Sequence, residues 1–219
     1  MLYERFLRRY DPKWERLWTS LSKRPRICLR KRDDDGRSHS LASEASVICA
    51  IRRILGPTHV RTASTARSWY DVAITFGDKT HYANIKISNG GCDNAFNKKA
   101  LVWSLTTLHA DAIPNSMSMN EMHTLIMKHP RKKRCPGQKE YFFIYVDKRD
   151  GTILIKSIMD IRHWCSNPYN LLQINWRKEK ASAAEGRSRT SIAMCREAIF
   201  ACLSQSLQDY VDSVDALLR

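Results

Sequence analysis

Three side chains of this chain, Asp71, Asn84 and Lys86, have the types and the spacing to work on a phosphodiester. The run HYANIKISNGG, residues 81–91, reads as buried sheet except for the lysine in its middle and the amide two residues before it. Side chains of a strand alternate between its two faces. In WYDVAITF (69–76), Val72, Ile74 and Phe76 take one face and leave Asp71 on the other. In HYANIKIS (81–88), Ala83, Ile85 and Ile87 share a face, and Tyr82, Asn84, Lys86 and Ser88 share the opposite one. Gly77-Asp78-Lys79-Thr80 between them reads as a short turn, so the two strands form a hairpin. The 13 positions from Asp71 to Asn84 suit such a hairpin and bring Asp71, Asn84 and Lys86 to one side of it. In phosphodiester hydrolysis a carboxylate holds Mg2+ against a non-bridging phosphate oxygen, and a second oxygen on the adjacent strand completes the protein's contacts to the metal. A lysine on the same face orients or helps deprotonate the attacking water and counters the charge building on phosphorus.

The elements that must position this hairpin follow from periodicity. Residues 2–21 read as a helix through Tyr3, Phe6, Leu7, Tyr10, Trp14, Leu17, Trp18 and Leu21, with Pro12 as an interruption or a new first turn. A second helix spans 40–55, with Ser40 as N-cap and Gly56-Pro57 as its stop. A first strand is expected within 58–65, and helices at 94–108 and 119–128. EYFFIYVDK (140–148) turns at Asp150-Gly151 into TILIKSI (152–158), LLQINWRKE (171–179) reads as a last strand, and a long helix covers 191–218. The order predicts an α/β (α+β) protein of one domain, 1–219, with a central mixed sheet flanked by helices, 1–21 and 191–218 being the outer elements.

The chain of 219 residues carries 37 Lys and Arg against 22 Asp and Glu, a formal net charge of +15. A balance this basic points to a polyanionic partner, nucleic acid before an anionic membrane surface. No apolar run approaches the roughly 20 residues of a membrane span. The N-terminal MLYERFLRRYDPKWERLW begins with charges where a signal peptide has its apolar core. The expectation is a cytoplasmic, DNA-associated protein with no membrane partner. Seven scattered cysteines with no CxxC and no zinc-site spacing read as reduced thiols.

Tyr70-Asp71, followed after twelve residues by Asn84-Ile85-Lys86 in a helix-strand-strand-helix order over roughly 40–110, resembles the PD-(D/E)xK nuclease superfamily. Within it the chain is most similar to the type II restriction endonucleases. The resemblance implies a restriction-endonuclease-like fold, a Mg2+ cofactor, double-stranded DNA cut at specific sequences, and a homodimer whose two-fold axis matches a short palindrome. It makes Asp71 the principal metal ligand, Asn84 the second and Lys86 the water-orienting or charge-stabilising residue. Glu44, on the preceding helix 27 residues before Asp71, stands where many of these nucleases place an extra acid near the metal. NPYNLLQINW (167–176) is similar to the closing core strand of blunt-cutting members. Asn84 departs from the pattern, which has Asp or Glu there, although some restriction enzymes of the superfamily carry Asn or Gln. An amide oxygen holds a hard cation less strongly than a carboxylate does, which gives the charge of Glu44 more to do. Two other readings stand beside this one: a repair or junction nuclease of the same fold, and a non-catalytic nucleic-acid-binding protein.

Three basic or amide-rich stretches supply candidate DNA contacts. SNGGCDNAFNKK (88–99) offers Asn89, Asn94, Asn97, Lys98 and Lys99 directly after the lysine strand. KHPRKKRCPGQK (128–139) offers Arg131, Lys132, Lys133 and Arg134, and RKEKASAAEGRSR (177–189) offers Arg177, Lys178, Arg187 and Arg189. Lysines and arginines give salt-dependent affinity for the backbone, while Asn, Arg and Gln read base edges.

Overall fold

The computed structural model describes residues 2–8, 10–23, 36–65, 68–133, 139–183 and 191–218. Arg134, Arg187 and Arg189 of the expected DNA contacts lie outside the described residues. In chain order the elements are helices α1 (Leu2–Arg8), α2 (Pro12–Ser22) and α3 (Gly36–Leu55), strands β1 (Val60–Thr62), β2 (Val72–Phe76), β3 (Lys79–Ser88) and β4 (Cys92–Asn94), and helices α4 (Lys98–Leu105) and α5 (Met119–Lys128). Strands β5 (Phe142–Asp147), β6 (Ile153–Ser157), β7 (Trp164–Asn167) and β8 (Leu171–Asn175) and helices α6 (Trp176–Ala183) and α7 (Ile192–Leu218) follow. The protein is thus mixed α/β. Among the described residues no helix is long and apolar enough to cross a membrane.

The chain folds into two compact units, and the division falls between Gly90 and Gly91, just past the lysine strand. The first unit contains a five-stranded sheet in the order β1-β2-β3-β5-β6, antiparallel except for the parallel pair β3–β5. Its helices cover one face. Leu7, Trp14, Leu17, Val47 and Ile51 pack on Val72, Ile74, Phe76, Ala83, Ile85, Phe142 and Ile144, the alternate residues of three neighbouring strands. The helix expected over 2–21 is two helices, because Asp11 caps the second by accepting from Lys13 N (2.8 Å) and Pro12 occupies its first position. The helix expected from Ser40 begins at Gly36: its first turn is polar, and apolar periodicity does not register such a start. Tyr3 and Trp18 tie this layer to the edge strand. The Tyr3 hydroxyl donates to Ile155 O (2.7 Å) and accepts from Ile155 N (2.8 Å), and Trp18 Nε1 donates to Ile153 O (2.8 Å). Main-chain groups of β6 that would otherwise offer a strand-pairing edge are satisfied in this way.

The second unit holds a separate antiparallel sheet, β4-β8-β7, with α4, α5, α6 and α7. Here the sequence expectation needs correction. LLQIN pairs with β4 and β7 in place of closing the larger sheet, and the strand expected to reach 179 stops at Asn175. The Asn175 side chain accepts from Lys178 N (3.0 Å), which turns the chain into α6. The partners β4 and β7 have three and four residues, too few for alternation to show. The Glu179 carboxylate, fully buried, accepts from both Arg162 N and His163 N (2.7 Å each) and so anchors α6 beside the start of β7.

His81 has an unusual place in the first unit's core. It is 1 % exposed, its two ring nitrogens have no hydrogen-bond partner, and the rings of Trp14, Phe76 and Phe142 surround it at 5.5–5.6 Å. Burial pushes its pKa down from 6.5 to about 4. Between those values the unfolded chain binds a proton that the folded one refuses, so this group's stability contribution is lost as pH falls from 6.5 towards 4, by about 3 kcal/mol in all. His81→Phe is therefore expected to stabilise the protein more at pH 5 than at pH 7.5, read from urea unfolding at both. An equal gain at the two pH values would show that His81 does not titrate in this way.

Candidate functional site

The site is built on the β2–β3 hairpin. Phe76 pairs with Lys79 across the two-residue turn Gly77-Asp78, in which Gly77 adopts φ +63°, a conformation that favours glycine. The resulting register sets Val72 against Ala83 and Ile74 against His81, all on the helix-covered face. Asn84 and Lys86, lying between those positions of β3, take the other face, where both are half-buried.

Asp71 precedes β2 by one residue and breaks the ladder. Its amide donates to Ala83 O (2.9 Å) although Val72 already pairs with Ala83, the two-against-one count of a bulge. Its carboxylate Oδ2 then accepts from Ile85 N (2.7 Å). Burial raises the pKa of Asp71 from 3.8 to about 6, outweighing that amide bond; the charge of Glu44 raises it further and that of Lys86 lowers it. Glu44, half-buried on α3, is thus electrostatically coupled to Asp71, as is Lys86. Asp71 therefore feels the charges of both Glu44 and Lys86, and Asn84 lies on the face of Lys86.

Two aromatic residues complete the surroundings. Tyr141, just before β5 and buried, donates its hydroxyl proton to Trp69 O (2.8 Å). Burial pushes the Tyr141 hydroxyl pKa well up; the charge of Asp71 adds to the rise and the Asn84 side chain offsets part of it. Asn84 Oδ1, by contrast, is buried and has no hydrogen-bond partner. Trp69, Tyr70, Tyr82 and Tyr141 form a cluster whose neighbouring rings lie at centroid distances of 4.5–5.9 Å.

A hard divalent cation suits this set. It prefers oxygen ligands, keeps several waters and needs few protein contacts. An orphaned, buried amide oxygen and a carboxylate whose Oδ2 alone accepts a hydrogen bond are open donors. The set mixes two acids with an amide, and among the described residues no group of three or more His, Cys, Asp and Glu is placed to hold a metal.

The other expected residues are placed as follows. Asn89 is exposed just past β3. In the second unit, Lys132, Lys133, Arg177 and Lys178 are exposed, and Asn94 is exposed with its Oδ1 accepting from Phe96 N (2.9 Å). Four candidates are engaged internally. Asn97 Oδ1 caps α4 through Ala100 N (3.0 Å), and Lys98 Nζ donates to Met117 O (2.6 Å). Lys99, buried, donates to Asn115 Oδ1 (2.9 Å), and Arg131 Nη1 donates to Ser104 O (3.3 Å).

Sequence reasoning missed Tyr141 and Trp69, because Tyr141 precedes a strand that meets β3 in a parallel pairing across a long crossover. It also missed the support at the end of β3. Gly90, at φ +78°, packs against Arg149, whose guanidinium occupies the space a Cβ would need. Arg149 is itself held by the fully buried Asp147 through Nη2–Oδ2 (3.0 Å) and Nε–Oδ1 (3.2 Å). The double glycine at 90–91 was the available signal.

No protein-family model matches the chain, and a search of curated proteins finds no significant match.

The raised pKa of Asp71 has a stability consequence. Between 3.8 and about 6 the folded state binds the extra proton, so this group adds stability as pH falls through 6, and at neutral pH the ionised acid is a liability. Asp71→Asn keeps an oxygen for Ile85 N and is expected to stabilise the fold by about 1–3 kcal/mol at pH 7.5. The gain should shrink towards zero near pH 4. Urea midpoints at the two pH values check it, and a destabilised variant at pH 7.5 would contradict the assignment of burial as the dominant influence.

Proposed function

We propose that the protein is a Mg2+-dependent, sequence-specific double-stranded DNA endonuclease of the type II restriction class, with a restriction-endonuclease-like fold in its first unit. The observation that carries this reading is the hairpin itself. Its half-buried acid of raised pKa feels the charges of a lysine on the hairpin and of Glu44 on α3, and beside the lysine the hairpin carries an orphaned amide oxygen, all in a chain of net charge +15. The mixed sheet, with a parallel strand following the hairpin, is compatible with the resemblance seen in the sequence.

In this reading Asp71, Asn84 and Glu44 hold the cation. When bound, it supplies Lewis-acid polarisation of the scissile phosphate and makes water a better nucleophile at neutral pH. Lys86 orients the attacking water and offsets the charge that develops on the phosphoryl oxygens. The helix-packed face beneath β3 keeps Asn84 and Lys86 two residues apart on one side of a strand held between two others, so neither can drift by a residue without exposing Ala83 and Ile85. Exposed Lys132, Lys133, Arg177 and Lys178 supply phosphate contacts. Leu207, Tyr210, Val211 and Leu217, 45–86 % exposed along the second half of α7, are an apolar stripe suited to the homodimer that a palindromic site requires.

Incubation with plasmid or phage DNA in Mg2+ or EDTA tests the proposal. The expected result is discrete, metal-dependent fragments, with Lys86→Ala slowing cleavage by about 10²–10³-fold while DNA retardation in Ca2+ persists. Cutting of branched or damaged substrates alone would move the assignment to a repair nuclease. Retardation without cutting, indifferent to Lys86→Ala, would leave a non-catalytic DNA-binding protein.

A further inference from the structure

The small sheet of the second unit brings together two thiols that the sequence keeps 73 positions apart. Cys92 opens β4 and Cys165 stands second in β7, the two outer strands, with β8 between them. The register sets Cys92 opposite Asn175 and Cys165 opposite Gln173. Asn175 and Gln173 lie two apart on β8 and so share a face, as do residues paired across antiparallel strands. Both thiols therefore stand on one face of the sheet and approach each other over β8 from its two sides. Their sulfurs meet at 3.1 Å, and both are free thiols.

Two sulfurs at that distance are within about 1 Å of the roughly 2.05 Å of a disulfide. The element that can give this movement is β4. It has three residues, lies at the edge of its sheet, and follows Gly91, beside whose Cα the space is open. The two thiols differ in their surroundings, since Cys92 is exposed and Cys165 is half-buried. Burial, with the neighbouring Cys92 sulfur adding to it, pushes the Cys165 thiol up to about 11. At neutral pH Cys165 therefore keeps its proton and reacts slowly with an oxidant by itself. The exposed Cys92 is the sulfur that an oxidant reaches first.

We propose that Cys92 and Cys165 are a modification site, a redox-active pair that a hydroperoxide converts into a disulfide across β8. The Cys92 thiolate attacks one peroxide oxygen and the O–O bond breaks, which leaves a sulfenic acid and releases water or an alcohol. The Cys165 sulfur then attacks the sulfenic sulfur. The S–S bond forms, the S–O bond breaks, and the hydroxide that leaves takes the Cys165 proton as water. The two sulfurs together give up two electrons and the peroxide accepts them. In a reducing compartment the pair rests as thiols, and a small-molecule thiol reverses the bridge by exchange. Nothing in this step draws on the nuclease reading.

The test is to treat the reduced, folded wild type with one equivalent of hydrogen peroxide and map its peptides by mass spectrometry. The expected product is a monomer that has lost two of its seven thiols, with Cys92 joined to Cys165, and that dithiothreitol restores. Cys195, 1 % exposed on α7, should stay reduced. Cys92→Ser should leave Cys165 a thiol, and Cys165→Ser should leave Cys92 as a sulfenic acid that dimedone traps. In a glutathione redox buffer the wild-type bridge should be favoured about 10-fold or more over the same bridge in concentrated urea, because the fold holds the sulfurs together. A bridge from either residue to Cys202 or any other cysteine, or between two chains, would overturn the proposal. So would a bridge no more favoured in the folded protein than in urea, or oxidation of both sulfurs without their joining.

Discussion

The Asp71 carboxylate accepts the Ile85 amide at the point where the β2–β3 ladder leaves its register, and the candidate site depends on that bond. A hydrogen bond from a main-chain amide to a carboxylate is worth roughly 1.5–3 kcal/mol, more than its neutral counterpart. Even so, burial prevails over it, because the acid ends with a pKa of about 6. The strand start is thus held by a group that would be more comfortable protonated. Acids with pKa values perturbed by burial cluster at functional sites, which is what the proposed nuclease role draws on.

Everything around this bond limits its freedom. Trp14, Val47, Ile51 and their neighbours press on the helix-covered face of β2, β3 and β5, and a one-residue slip of β3 would put Asn84 and Lys86 into that core. Tyr3 and Trp18 satisfy the main chain of β6 at the edge of the sheet. At its far end β3 runs into Gly90, where the paired Arg149 and Asp147 leave no room for a side chain. The strand that carries Asn84 and Lys86 is therefore fixed along its length, on its buried face and at its exit. The proposed nuclease site, which would hold a cation and a phosphate within fractions of an ångström, would need such rigidity.

The amide at position 84 is consistent with the same economy of charge. The site contains Asp71, Glu44 and Lys86 as coupled ionisable groups, and the second acid adds to the burial that lifts the pKa of Asp71. A further acid beside Asp71 would compete with it for ionisation. An amide adds an oxygen without adding to that repulsion. Binding of a divalent cation would change the balance, since its charge favours every ionised carboxylate around it.

Alternation by itself determined a good part of this protein. It separated Val72, Ile74 and Phe76 from Asp71, and Ala83 and Ile85 from Asn84 and Lys86, because a strand with one face in a core must write that face into every second residue. The β5–β6 hairpin and α5 were legible for the same reason, the latter with a capping box between Ser118 and Glu121 to mark its start. Other features had no local signature. The short strands β4 and β7 offer too few residues for a period, and the separate sheet that claims β8 is a matter of which partner it meets. Lys99 reads as an exposed base in a basic run, yet the packing of α4 buries it against Asn115. The bulge at Asp71 and the hydrogen bond from the Tyr141 hydroxyl to Trp69 O also escape the sequence. Both depend on strands meeting across the fold, and a hydrogen bond's donor and acceptor are assigned only once every competing partner is in place.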